Sequence, residues 1–222
     1  MQTTHDPSLL STTDTRAIDD ILAFWIGEPA TDASGLVAKL RRWFQGGETI
    51  DRLIEQRFGA FVASALDGEL DHWRSSTRGK VALVIILDQF TRNLFRDTPR
   101  AYAGDPAARS LAMALVESGL WRLGSTEQRL VIAMPFAHAE DLELQSRSVE
   151  LARETARDAP EALRGPLAIG CERTEHYRSI IARFGRFPHR NAILGRATTA
   201  DELRFLDEEA RRPSPMAQMP TR

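Results

Sequence analysis

The chain has 222 residues, a length that allows one large or two small domains. Its apolar fraction of 42% is that of an ordinary globular protein with a buried core. The formal net charge is −2, so the chain lacks the overall positive field that attracts nucleic acid, and this class of partner is not expected. The longest unbroken apolar run, residues 81–87, is too short to cross a bilayer, so a membrane is not expected either.

The cysteine content and the two ends of the chain bear on the compartment and on the domain limits. Cys171 is the sole cysteine, which excludes an intramolecular disulfide and fits a reducing compartment. No basic start followed by an apolar run opens the sequence, so no signal peptide is expected and we predict a cytoplasmic protein.

Residues 1–14 are polar and 211–222 are proline-rich. Both are predicted to be flexible tails on a single helical domain that spans 15–210.

Between those tails, apolar residues recur at the three-four spacing of amphipathic helices. The first helix is expected within 15–27, the second stops at the paired glycines 46 and 47, and the third covers 49–68. Residues 80–87 are apolar and β-branched and could form a buried strand. No turn residue separates them from the polar run that follows, so we predict one continuous helix over 79–95.

The later helices carry start and stop signals. Prolines indicate helix starts at Asp105-Pro106 and at Pro160. Capping-box spacing indicates two more, at Ser125 with Gln128 and at Thr199 with Glu202. Gly185 has the position of a helix C-cap glycine. About nine helices with short connections result. They predict an all-α fold of antiparallel helical hairpins, stacked as a superhelix or as a compact bundle.

The first of three polar stretches follows the apolar half of the long central helix. Asp88 lies one turn before Arg92, a spacing that favours an ion pair. Gln89 and Asn93 have the same spacing, and Arg96 follows where the helix is expected to end. These groups could line a site, or they could form a buried ion-pair network that fixes how the helix packs.

The second polar stretch begins after Pro135, which is predicted to break one helix, with the next helix starting near Ala139. Glu140 and Asp141 would then lie in a first turn, where carboxylates complement the helix dipole. His138 could cap that helix, bind a metal or act as an acid–base group. Its spacing from the two carboxylates is not that of the two-histidine zinc hydrolases.

The third polar stretch covers the end of a helix and the loop after it. His176 lies on a mostly apolar helical face, where a histidine is usually a satisfied core group. The loop then presents Arg186, His189, Arg190 and Asn191 on a proline-stiffened backbone. We interpret this loop as one wall of a site that binds something negative.

Three motif-bearing segments together resemble one known family. They are "LDQFTRNLFRDTPRAYAGD" at 87–105, "MPFAHAEDLELQ" at 134–145 and "HYRSIIARFGRFPHRNAILGR" at 176–196. This combination resembles the bacterial domain-of-unknown-function 924 family over about residues 17–208. The resemblance implies an all-helical fold similar to the tetratricopeptide-repeat superhelix, and it implies no activity.

Three interpretations remain open. The first is a binding protein with an Arg/His-lined pocket for an anionic small molecule or the acidic end of a peptide, in which all three polar stretches converge. The predicted site residues are Asp88, Gln89, Arg92, Asn93, Arg96, His138, Glu140, Asp141, His176, Arg186, His189, Arg190 and Asn191.

The second interpretation is a hydrolase, with or without a metal ion. His138 or His189 would act as general base, and Asp88 or Asp141 would orient it. The third interpretation is that the polar groups are purely structural. Signatures of zinc, nucleotide and nucleophilic-serine sites are missing from the sequence, so no cofactor and no metal site is predicted.

Overall fold

The computed structural model describes residues 10–212, and within that range the chain is all-α, as predicted. The helices are α1 Thr12–Trp25, α2 Ala33–Gln45, α3 Glu48–Leu66, α4 Thr77–Val84, α5 Thr91–Leu94, α6 Asp105–Glu117, α7 Thr126–Ala137, α8 Leu142–Asp158, α9 Glu161–Phe184 and α10 Ala200–Arg211. A π-helical turn, Ile85–Phe90, joins α4 directly to α5. With these three counted as one helix, the described residues hold about nine helices, which confirms the predicted number.

The continuous helix predicted over 79–95 is present, and its middle differs from an ordinary α-helix. Every residue from Val81 to Thr91 is buried, so this segment lies inside the fold on all its faces. The π-helical turn places Asp88 and Gln89 in that buried part. Because π-turns inside α-helices redirect side chains and are frequent at functional sites, this turn fixes the direction of the first polar stretch.

The described chain divides into two compact units. Unit 1 contains residues 10–29, 47–96 and 100–135, and unit 2 contains 30–46, 97–99 and 136–212. The single domain expected over 15–210 and the tetratricopeptide-like stacking stay predictions.

Unit 1 is organised around an aromatic cluster. Trp25 and Phe58 each place a ring centroid 5.3 Å from that of Phe90, the last residue of the π-turn. Such aromatic contacts add to the apolar burial of the rings. Helix α3 packs on the π-turn and on α5, and α6 packs on α4. The backbone of Gly104 lies so close to the Leu87 carbonyl that a Cβ there would come within 2.3 Å of the oxygen.

Unit 2 is built on the antiparallel pair α8 and α9, which Ala159 and Pro160 connect. Helix α2 packs on α9, and α10 packs on the 3-10 turn Pro188–Arg190. An apolar cluster ties these parts together, with Ile180, Ile181, Phe187 and Phe205 all under 9% exposed. This cluster fixes the loop after α9 relative to α10.

Three predicted boundaries are wrong in detail. Pro135 does not break a helix, because α7 continues through it for two further residues and ends at Ala137. Helix α8 starts at Leu142, not near Ala139, because the Asp141 carboxylate accepts a hydrogen bond from the Leu144 N–H and caps the helix. Helix α1 starts at Thr12, inside the predicted tail.

Two capping boxes and the C-cap glycine are found where they were expected, whereas the N-cap of α6 is Gly104 and Asp105 is the first helical residue. Capping-box contacts join Ser125 to Gln128 and Thr199 to Glu202. Gly185 ends α9 in the left-handed conformation with φ 68°. The remaining predicted tail residues, 1–9 and 213–222, lie outside the described residues.

Candidate functional site

In unit 2, members of the second and third polar stretches lie together around one carboxylate, that of Glu140. Arg196 donates to it through Nη1 at 2.6 Å and through Nη2 at 3.0 Å, and the Phe187 N–H donates at 2.8 Å. Paired guanidinium–carboxylate hydrogen bonds are both strong and directional. The segment 186–196, called the arginine loop below, is therefore held by an internal anion that precedes α8.

The electrostatics of Glu140 follow from this geometry. Burial by itself would raise the pKa of the Glu140 carboxyl. Hydrogen bonds from Arg196 and Phe187, with the charges of Arg196 and Arg190, outweigh that effect and hold the pKa below its usual range. Glu140 is thus ionised at neutral pH and neutralises part of the positive charge of the arginine loop.

A second acid–base pair anchors the start of the arginine loop. Arg186 donates to the two carboxylate oxygens of Glu202 at 2.7 and 2.9 Å, and to the Ala197 carbonyl at 2.8 Å. The hydrogen bonds that Arg186 donates to Glu202, together with the one from the Thr199 N–H, lower the pKa of the Glu202 carboxyl to about 2. Arg186 thereby ties the loop to the first turn of α10.

The middle of the arginine loop is a short, stiff turn that presents His189. The ring of Phe187 is 1% exposed, and its backbone is fixed by Glu140 and by Arg196, which donates to the Phe187 carbonyl at 3.2 Å. Arg190 lies against the Phe187 ring, with the guanidinium carbon 4.6 Å from the centroid. His189 is exposed, and the centroid of its ring lies 5.4 Å from the centroid of the Phe187 ring.

The surroundings of His189 disfavour its protonation. Partial desolvation by the packed loop is the main reason that the pKa of His189 falls to about 4, and repulsion from Arg190 is the second. Attraction to Glu140 acts in the opposite direction but is smaller than the effect of Arg190, and His138 and Arg196 add to the repulsion. The imidazole is therefore neutral at pH 7 in net positive surroundings.

Other predicted residues of unit 2 have structural contacts. Asp141 caps α8, as described above. Asn191 is fully buried and donates to the Thr198 hydroxyl at 3.4 Å. His176 is not bonded to the arginine loop, because its Nε2 lies 2.7 Å from a Glu209 carboxylate oxygen on α10.

In unit 1, the first polar stretch forms an ion-pair network. The Arg92 Nη1 lies 3.1 Å from an Asp88 oxygen and 3.0 Å from an Asp105 oxygen, and Gln89 donates to the fully buried Asp88. Burial alone would lower the pKa of Arg92, but the charges of Asp88 and Asp105 raise it. Arg92 is therefore a permanent cation between two carboxylates.

The other half of this network connects α5 to α3. Asn93 donates to Asp51 at 2.7 Å, and Arg96 donates to both Asp51 oxygens at 2.9 Å. Burial alone would raise the pKa of Asp51, yet these bonds lower it. Two carboxylates from other elements of unit 1 thus bind the predicted residues of the first stretch: Asp105 binds Arg92, and Asp51 binds both Asn93 and Arg96.

Four residues of these networks were not found by sequence reasoning. Asp51 lies 42 residues before its partner Asn93, and Arg196 lies 56 residues after its partner Glu140. No local spacing in the sequence could reveal either pair. Asp105 and Glu202 were noticed only as helix-start residues. Their second role as ion-pair partners has no signature along the chain.

The described residues offer neither a metal-binding cluster nor a membrane-spanning helix. Among residues 10–212, no three His, Cys, Asp or Glu side chains are grouped so that they could hold a metal ion. None of the helices in that range combines the length and the apolar composition needed to cross a membrane.

Comparisons with known proteins place the chain among bacterial proteins. The sequence model described as "Bacterial protein of unknown function (DUF924)" matches residues 21–210. The solved structure of ATU0120 from Agrobacterium tumefaciens, a protein of unknown function, shares 34% sequence identity and superposes with a TM-score of 0.71. That match covers 87% of this chain and 98% of the other. No curated protein matches the chain.

Proposed function

We propose that this chain, which belongs to the DUF924 family of bacterial proteins of unknown function, binds a small anionic ligand at the arginine loop of unit 2. The ligand class is a phosphate or carboxylate group on a small molecule or on a peptide end. Its contact would be the exposed His189 imidazole, and the neighbouring Arg190, which is 7% exposed and packed on Phe187, would contribute its positive charge. Arg186 and Arg196 would hold the loop in place.

One observation carries the proposal. His189 is exposed on a turn whose backbone is fixed by Glu140 and Arg196. Its pKa is lowered first by desolvation and second by the positive charge of Arg190. The same positive surroundings attract an anion. A pre-organised turn has less conformational freedom to lose on binding than a flexible loop has.

The geometry supports binding better than hydrolysis. The two carboxylates that the hydrolase interpretation assigned to a histidine have other contacts: Asp141 caps α8 and Asp88 pairs with Arg92. A general base is usually oriented by a third group. Glu140, the acid nearest in sequence to His138, binds Arg196 instead.

Binding is tested by thermal unfolding of the full chain in inorganic phosphate, acetate and citrate, with potassium chloride at equal ionic strength as the reference. A ligand at ten times its Kd should stabilise the native state by about 1.4 kcal/mol, which corresponds to a rise in Tm of about 3 to 6 °C. The His189→Gln and Arg190→Ala variants should lose this rise.

The matched control is Arg204→Gln, which removes an exposed arginine of α10 whose one ion-pair partner among residues 10–212 is Asp201. This variant should keep the full ligand effect. If no anion raises the Tm above the chloride reference, or if His189→Gln and Arg204→Gln respond to the anion equally, the proposal is wrong. Isothermal titration with the best anion checks the same comparison without relying on unfolding.

A further inference from the structure

A cavity of about 310 Å³ lies in unit 2 between the second half of α9 and α10, away from the contacts assigned to the arginine loop. One side of it is apolar. Ile180 and Phe205 there are 6% and 8% exposed, and the Phe184 ring centroid lies 5.1 Å from that of Phe205. The cavity therefore offers an aromatic surface to the apolar part of a ligand.

The rim of this cavity carries both signs of charge in equal number. Arg183 and Arg212 are the cations, and Glu208 and Glu209 are the anions. The Arg183 guanidinium carbon lies 4.6 Å from the Phe184 centroid, so it covers the aromatic side while keeping its charge near solvent. A purely anionic or purely cationic ligand would meet repulsion from half of these groups.

One end of the cavity is organised by His176. Its Nε2 lies 2.7 Å from a Glu209 oxygen, and its Nδ1 lies 2.9 Å from Nη1 of Arg212. With the ring proton on Nε2, the imidazole donates to Glu209, while Nη1 of Arg212 lies nearly as close to Nε2, at 3.1 Å, as to Nδ1. This arrangement fixes Arg212 at the cavity, although its side chain is 53% exposed.

The two glutamates differ in what they already bind. Glu209 is shared by His176 and Arg212. Glu208 is exposed at the rim and forms no ion pair with any residue from 10 to 212. The rim thus presents a fixed cation at Arg212 and an acceptor for a positive ligand group at Glu208.

From this pattern we propose that the cavity binds a free α-amino acid with an apolar side chain. The α-carboxylate pairs with Arg212 and the α-ammonium pairs with Glu208. The side chain lies against Phe184, Phe205 and Ile180. The volume is at the lower end of the range of small-molecule sites, which suits a ligand of one residue.

The test is isothermal titration of the full chain with L-phenylalanine and L-leucine. Both should bind, and glycine should bind at least tenfold more weakly because it has no side chain for the aromatic surface. Phenylpropionate and phenethylamine, which each lack one charged group, should also bind at least tenfold more weakly than phenylalanine. Equal binding of phenylpropionate and phenylalanine would overturn the zwitterion assignment.

Two substitutions locate the site. Arg212→Gln and Glu208→Gln should each weaken phenylalanine binding at least tenfold. The matched control Arg211→Gln, which removes an exposed arginine that pairs with Asp207 outside the cavity, should not. The absence of phenylalanine binding at millimolar concentration, or equal effects of all three substitutions, would overturn the proposal. His189→Gln should leave phenylalanine binding unchanged, which separates this site from the arginine loop.

Discussion

Two arginines of the arginine loop, Arg186 and Arg196, have their hydrogen-bonding capacity used by the fold. Arg186 bonds both Glu202 oxygens and a backbone carbonyl, and Arg196 bonds both Glu140 oxygens and the Phe187 carbonyl. These two side chains anchor the loop, because a guanidinium held by bidentate bonds has little freedom left. Ligand contact is therefore assigned to the exposed His189 rather than to Arg186 or Arg196.

The low pKa of His189 makes a prediction about stability and pH. The pKa is about 4 in the folded chain and 6.5 for an ordinary histidine, so the unfolded chain binds more protons between these pH values. The contribution of His189 to stability is constant above pH 6.5 and is lost as the pH falls from 6.5 towards 4. The stability difference between wild type and His189→Gln should change in this window, measured by urea unfolding at each pH.

Above pH 7 the same difference should not vary with pH, which provides the internal reference for this measurement. Histidine ring resonances followed by NMR should place the titration midpoint of His189 well below 6.5. A stability difference that stays constant from pH 7 to 4 would contradict the assigned environment of His189.

At the scale of elements, the contact between the π-helical turn and the start of α6 leaves no room for a side chain. Gly104 has φ −83°, which any residue can adopt, so the glycine is required by space and not by backbone conformation. A Cβ there would come within 2.3 Å of the Leu87 oxygen, which the buried π-turn cannot easily move.

Two glycine-to-alanine substitutions should therefore change the stability of the protein in opposite directions. Gly104→Ala should destabilise the protein by about 1 to 3 kcal/mol or more, since the packed backbone must shift. Gly59→Ala, in the interior of α3 with no atom within 4 Å of the added Cβ, should stabilise it by about 0.5 to 1 kcal/mol. Chemical denaturation of both variants measures the two changes. Equal effects would contradict the described contact.

At the scale of the whole molecule, carboxylates with lowered pKa values occur in both units. Asp14 and Asp51 belong to unit 1, and Glu140 and Glu202 belong to unit 2. For Asp14, burial would raise the pKa, but hydrogen bonds from Ser11, Trp73 and His72 lower it. In each case the ionised form is bound by donors that the unfolded chain does not provide.

The protein should therefore be sensitive to acid. A carboxylate whose folded pKa is depressed stabilises the native state above its unfolded pKa, at about 4, and loses that contribution as the pH falls further. The free energy of unfolding should fall steeply below about pH 4, beyond the smaller change due to His189. Urea titrations from pH 7 to 2.5 measure this fall, and undiminished stability at pH 3 would contradict it.

The sequence by itself determined the helices and most of their ends, because apolar periodicity, capping boxes and a C-cap glycine are local signals. The boundary error near Asp141 has a local cause as well, because an aspartate can cap a helix as readily as it can lie within a first turn. At Pro135 the helix continues for two residues past the proline.

Only the tertiary structure decided the partners of the charged groups. Glu140 meets Arg196, Asn93 meets Asp51, and His176 meets Glu209 at separations of 56, 42 and 33 residues along the chain. A guanidinium carries the same charge wherever it lies. Whether it anchors the fold or faces a ligand depends on which carboxylate the packed helices bring within hydrogen-bonding distance, and sequence spacing records no such distance.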